Sequence, residues 1–169
     1  EFVRQVWAAF TASRASLVGL AFALLPAGAM ALGLALAQTL AVDLGFDDDQ
    51  VASLSLWTTI CQSAGCIIGG WLSDRLGRRR ALAWFVFAMT PVTLWLAWTL
   101  WHVGWIHPVD PAHRAGVVVP ALAVTVFWVT SLIYCLANGM MYGARAALFM
   151  DVSNARVAAT QFTAYMALL

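Results

Sequence analysis

The sequence predicts an all-α membrane protein, and two observations carry that prediction. Hydrophobic residues make up 63% of the 169-residue chain and charged residues only 10%, with a mean hydropathy of +0.83. Soluble domains carry charge on about one quarter of their residues, so this chain lacks the polar side chains that would cover its surface in water. Its charges also fall in short segments between long uncharged stretches.

The uncharged stretches define the predicted spans. A helix crosses the hydrocarbon layer of about 30 Å with about 20 apolar residues, and four stretches are long enough. We expect four full transmembrane helices, at about 15–42, 50–73, 81–106 and 116–144, and the truncated start of a fifth at 157–169. Because the chain stops inside this last apolar run, we expect it to be a piece of a longer protein.

The arginines set the predicted orientation. Eight of the nine fall on one side of the predicted spans, namely Arg4, Arg14, Arg75, Arg78, Arg79, Arg80, Arg145 and Arg156. Only Arg114 falls on the other side, and the positive-inside rule therefore places the N-terminus in the cytoplasm. Residues 1–14 are then a cytoplasmic segment, either an amphipathic surface helix or an ordinary linker.

Composition and motifs exclude several functions. The net charge of +1 gives no reason to expect a nucleic acid partner. No HExxH metal motif, GxSxG nucleophile motif or phosphate-binding glycine loop occurs, and no carboxylate lies within a predicted full span. We therefore expect no enzyme activity and no cofactor, and we see no carboxylate proton relay in these spans.

Cysteines and histidines do not form a pattern typical of a metal site. Cys61, Cys66 and Cys135 all lie in apolar runs, where we interpret them as small core residues. The histidines cluster near one predicted outer loop, but their spacing is irregular and no carboxylate frames them. They are His102, His107 and His113. We expect no metal at either group.

Polar stripes inside the spans are the candidate substrate cavity. In the fourth span six polar residues fall within an arc of about 100°, and polar groups at membrane depth usually face the bundle interior or a water-filled cavity. Small and hydroxyl side chains are more often packing groups, so that alternative stays open for each of them. The cavity candidates are Gln38, Thr59, Gln62, Ser131, Tyr134, Asn138, Gln161 and Tyr165.

Two glycine pairs mark faces where helices can approach closely. Gly65 and Gly69 in the second span, and Gly139 and Gly143 in the fourth, each have GxxxG spacing. Small residues at this spacing let the backbones of membrane helices come together.

The segment between the second and third spans carries a specific motif. It reads GWLSDRLGRRR from Gly70 to Arg80. This resembles the signature loop of the major facilitator superfamily, G-x-L-[AS]-D-R-x-G-R-R-[RK], and every defined position matches. The resemblance implies the helical fold of that superfamily, of which the chain would hold part of one six-helix half.

In that family the loop acts as a conformational latch. The resemblance implies gating roles for Gly70, Asp74, Arg75, Gly77, Arg78 and Arg79. Gly70 would permit close helix approach, Gly77 a turn with positive φ, and Asp74 would lie at the N-terminus of a neighbouring helix. We expect the loop to contact Arg145 and Asp151, the charges nearest to it on the same side.

The end of the chain narrows the resemblance. Residues 144–165, with Ala-Thr-Gln-Phe at 159–162, are similar to the junction between spans ten and eleven of AmpG-type muropeptide permeases. This places the chain in the C-terminal half, from helix seven to the start of helix eleven, with the N-terminal half of the same chain missing. Asp151 departs from the pattern that we expect of these permeases.

The resemblance implies a function. The chain would belong to a secondary active transporter of a bacterial inner membrane that imports anhydromuropeptides or a similar small polar glycopeptide together with protons, by alternating access. Two alternatives stay open. One is a facilitator for sugars, drugs or organic anions, and the other is a non-transporting membrane sensor or assembly subunit.

Overall fold

A computed structural model describes residues 17, 37–104, 119–153 and 158–167. Its helices are α1 (Asp48–Leu76), α2 (Arg78–Val103), α3 (Ala121–Val152) and α4 (Ala158–Ala167), and residues 37–43 are also helical. Among the described residues no strand occurs. Three of these helices, α1, α2 and α3, are long and apolar enough to cross a membrane. The prediction of a helical membrane protein is confirmed at this level.

Helix α1 begins at an acidic capping box. The backbone N–H of Gln50 donates to the Asp47 carboxylate at 2.7 Å, and the backbone N–H of Asp47 donates to the Gln50 side chain at 3.3 Å. Asp48 and Asp49 occupy the first turn, where negative charge is favoured by the helix dipole. These aspartates therefore stabilise the start of α1.

A single residue, Gly77, separates α1 from α2. Its φ of 86° and ψ of 124° confirm the positive φ predicted for this position. The Gly77 carbonyl accepts from the backbone N–H of Ala81 at 3.0 Å, so α2 starts at Arg78, three residues before the predicted span. At its other end Gly104 adopts a left-handed conformation, a common helix stop.

Helix α3 is longer than the span predicted from hydropathy. It starts after Pro120 and continues past Ala144 to Val152. Residues 145–151 contain neither glycine nor proline, and most of them are strong helix formers. The arginine at position 145 ends the apolar run, but arginine is a good helix former and does not end the helix.

An apolar cluster joins the first helical stretch to the starts of α1 and α3. Its buried members are Leu40, Ala41, Leu44, Phe46, Leu54, Ala123 and Phe127. The Phe46 ring meets the Phe127 ring edge-on at a centroid distance of 5.6 Å and stacks on Trp128 at 6.1 Å. Such pairs add to the free energy gained from apolar burial.

The chain divides into two compact units. One comprises residues 35–144 and includes α1, α2 and most of α3. The other comprises residues 1–34 and 145–169, and in its described part Arg145, Phe149 and Gln161 are fully buried.

Candidate functional site

The two glycine pairs pack against each other. A methyl group built on Gly65 would collide with the Leu136 carbonyl and lie 3.1 Å from the Cα of Gly139. One built on Gly139 would collide with the Gln62 carbonyl and lie 3.0 Å from the Cys66 nitrogen. The close approach predicted from the GxxxG spacing is confirmed, and the partner of each pair is the other pair. Helices α1 and α3 are therefore in backbone contact.

Gly70 does not have the packing role expected from the motif. A methyl group on Gly70 would meet nothing within 4 Å, whereas one on Gly69 would collide with the backbone of Met140. The Gly70 backbone nitrogen would lie 3.0 Å from a methyl group built on Gly143, so Gly70 is near the contact, but its own missing side chain is not what makes room for α3. Successive positions point in directions about 100° apart, and Gly69 is the residue that faces α3.

The polar stripe of α3 lies beside this glycine contact. Asn138 immediately precedes Gly139, and its Oδ1 atom is buried with no hydrogen-bond partner. Ser131 is half-buried, and Tyr134 is partly exposed. A buried amide oxygen without a hydrogen-bond partner costs free energy. Of the cavity candidates, Asn138 is therefore the one whose side chain has an open position for a hydrogen-bond donor from a ligand.

The α1 candidates are placed differently. Thr59 is exposed, and its hydroxyl donates to the Ser55 carbonyl at 2.7 Å within its own helix. Gln62 is half-buried, and its backbone carbonyl lies against Gly139. The Thr59 hydroxyl is therefore satisfied locally, as is common for threonines within membrane helices.

The remaining cavity candidates are scattered. Gln38 is exposed in the first helical stretch, and Gln161 is fully buried in α4, in the other unit. The Tyr165 side chain lies outside the described residues. A cavity shared by all eight candidates therefore stays a prediction.

In the loop motif, Asp74 pairs with the first residue of α2. Its carboxylate accepts from Arg78, with an N–O distance of 3.3 Å. The Arg75 guanidinium instead lies over the Trp71 ring, 4.1 Å from its centroid. Arg79 is exposed. The Asp74–Arg78 ion pair, which is exposed, thus links the last turn of α1 to the first turn of α2 across Gly77.

The charges expected to contact this loop lie further along α3. Arg145 is buried, with 1% of its surface exposed, and Asp151 is exposed in the last turn. Both belong to the unit that contains residues 145–169, whereas Asp74 belongs to the other. The latch contact therefore stays a prediction.

Asp43 is a buried carboxylate that the sequence analysis did not identify. Only 4% of its surface is exposed, and it lies between Leu40 and Leu44, which belong to the apolar cluster. It takes part in a polar interaction. Asp43 directly follows the first predicted span, a position at which hydropathy predicts an exposed loop residue. The signal available in the sequence was the apolar set that surrounds it, at positions 40, 41, 44 and 46.

An open apolar groove lies on α2. The described residues that line it all belong to α2, and they are Pro91, Leu94, Trp95, Ala97, Trp98 and Trp101. His102 packs on Trp98 at a centroid distance of 4.6 Å, while His107 and His113 lie outside the described residues. Among the residues described, no three His, Cys, Asp or Glu side chains are grouped to hold a metal. The tryptophans fit an aromatic belt at a membrane boundary.

Comparison of the chain with protein-family models, curated proteins and solved structures yields no match.

Proposed function

We propose that this chain is part of a secondary active transporter that moves a small polar solute across a bacterial inner membrane by alternating access. The observation that carries the proposal is Asn138, whose side-chain oxygen is buried without a partner inside a helix long enough to span the membrane. Polar groups retained at such a depth are expensive and tend to serve a pathway or a ligand. A solute hydroxyl or amide would satisfy this oxygen.

The loop supports the choice of transporter family. The match of Gly70 to Arg80 with the signature loop of the major facilitator superfamily includes the embedded Asp74 and the positive-φ Gly77. A loop that only set orientation through positive charge would need neither residue. We therefore propose a latch in which Asp74 and the adjacent arginines stabilise one closed state, with the N-terminus of the chain in the cytoplasm.

The proposed solute is an anhydromuropeptide or a related glycopeptide, carried with protons. Its support is the likeness of residues 144–165 to AmpG-type permeases. Such a solute presents hydroxyls and amides to its site, and Asn138, Tyr134 and Gln62 offer matching donors and acceptors. The N-terminal half of the transporter would complete the pathway.

Uptake by the full-length protein in proteoliposomes tests the proposal. We expect accumulation of anhydromuropeptide when a proton gradient is imposed, and little without it. Uptake of sugars, drugs or organic anions instead would retain the transporter and overturn the substrate. No uptake of any of these solutes by correctly inserted protein would favour a sensor or an assembly subunit.

A further inference from the structure

The junction of α1 and α2 concentrates positive charge at one level of the membrane. Four arginines occur in the six residues 75–80. Because only Gly77 separates two helices of spanning length, their junction has to lie at a membrane surface. These arginines are therefore held at the depth of the lipid headgroups and cannot extend far into the aqueous phase.

On α1 the exposed face runs from apolar to charged towards this junction. Ile67, Trp71 and Arg75 follow one another at intervals of four residues, so they share one face of the helix. All three are exposed, Ile67 to 76% and Trp71 to 55%. The Arg75 guanidinium rests on the Trp71 ring, an arrangement that fixes its charge next to the ring.

Helix α2 repeats this order in the opposite direction along the chain. Arg80 is followed by Trp84 and Phe87 at intervals of four and three residues. Trp84 is 65% exposed and its ring meets the Phe87 ring edge-on at 6.2 Å. Each helix therefore presents an arginine at the surface, a tryptophan one turn deeper and an apolar side chain below it.

Little negative charge offsets these arginines. Asp74 is the only acidic residue between positions 50 and 109, and it forms an ion pair with Arg78. Arg75 and Arg80 are exposed, each on the same helix face as a tryptophan. Tryptophan prefers the level of the glycerol and headgroups, so the two arginines lie where lipid phosphates lie.

We propose that Arg75 with Trp71, and Arg80 with Trp84, form binding sites for the phosphodiester of anionic phospholipids. The guanidinium binds the phosphate, the indole lies at the glycerol, and the acyl chain packs on Ile67 or Phe87. A guanidinium matches the geometry of phosphate oxygens, and basic groups beside a membrane helix are attracted to anionic lipid. This inference does not depend on which solute is transported.

Lipid binding to the purified full-length protein tests it, by native mass spectrometry with phosphatidylglycerol and with phosphatidylcholine. We expect preferential retention of phosphatidylglycerol. Arg75→Gln and Arg80→Gln should each weaken its binding about fivefold, and the double variant more than either. Arg75→Lys with Arg80→Lys keeps the charge but loses the guanidinium geometry, so it should bind more phosphatidylglycerol than the double glutamine variant and less than the unaltered protein.

Arg79→Gln is the matched control. It removes the same charge from the same loop, but Ala83 occupies the position one turn deeper. We expect it to leave phosphatidylglycerol binding close to that of the unaltered protein. Equal loss in Arg79→Gln and Arg80→Gln would overturn the proposal, as would equal binding of the two lipids. Displacement of the lipid by millimolar inorganic phosphate would instead identify a site for free anions and contradict a lipid site.

Discussion

Gly65 of α1 and Gly139 of α3 are packed backbone against backbone: a methyl group on Gly65 would lie 3.1 Å from the Cα of Gly139. Gly69 and Gly143 extend the same contact along both helices. Packing of this kind replaces the hydrophobic effect as the force that associates helices in lipid. It also positions the adjacent Asn138, on which the proposed function rests.

Substitution at the centre of this contact should destabilise the protein. Gly139→Ala places a methyl group against the Gln62 carbonyl, and overpacking of this kind costs about 1–3 kcal/mol. Thermal unfolding of the purified protein measures the effect. Gly70→Ala is the control, since a methyl group there meets nothing within 4 Å, and it should leave the melting temperature unchanged or slightly raised. Equal effects of the two substitutions would contradict the packing described.

The turn between α1 and α2 should be sensitive to the loss of glycine. Gly77 has a φ of 86°, a conformation that costs residues with a side chain about 1–3 kcal/mol. Gly77→Ala should therefore lower the melting temperature even though no atom lies within 4 Å of the added methyl group. A melting temperature equal to that of Gly70→Ala would show that the turn relaxes at no cost.

The capping box at the start of α1 should contribute measurably to the free energy of unfolding. Asp47→Ala removes the acceptor for the Gln50 backbone N–H and should reduce the free energy of unfolding by about 1 kcal/mol. Asp48→Ala removes the same charge from the first turn without touching the capping box, so its effect should be smaller. Denaturant unfolding of both variants gives the comparison, and a larger loss for Asp48→Ala would be inconsistent with the cap.

The latch role of Asp74 predicts a transport defect without a folding defect. Its ion pair with Arg78 is exposed and should contribute no more than about 1 kcal/mol to stability. Asp74→Arg should thus insert and melt nearly normally while uptake falls. Exchanging the charges in Asp74→Arg with Arg78→Asp restores the local pair, and we expect it not to restore uptake, because the latch needs the acid at position 74. Undiminished uptake by Asp74→Arg would remove the gating role.

Much of the helical arrangement follows from the sequence because it rests on local signals. The lengths of the uncharged stretches predict α1, α2 and α3, and the glycine at position 77 predicts the turn between α1 and α2. The contact between the two glycine pairs could not be predicted in the same way. GxxxG spacing indicates that one helix face can approach another helix closely, but it does not identify which helix. Similarly, the motif includes Gly70, but a side chain at position 70 would point away from α3. A side chain at position 69 would point into α3, so Gly69 is the glycine that the contact requires.

Burial of polar groups was harder to predict. Asp43 follows an uncharged stretch, so hydropathy places it in solvent, but only 4% of its surface is exposed. Thr59 was a cavity candidate by its position on a polar face, yet its hydroxyl is satisfied by the Ser55 carbonyl. Both outcomes depend on distances between atoms that periodicity does not supply.

The most direct test of the account is the solvent accessibility of position 138 during transport. In full-length protein with Cys61, Cys66 and Cys135 replaced by alanine, Asn138→Cys should react with a membrane-impermeant maleimide, and the transported solute should slow the reaction. Ile133→Cys, on an exposed apolar position of the same helix, should react little because lipid covers it. If Asn138→Cys reacts no faster than Ile133→Cys in protein that takes up solute, the polar face of α3 does not line the pathway.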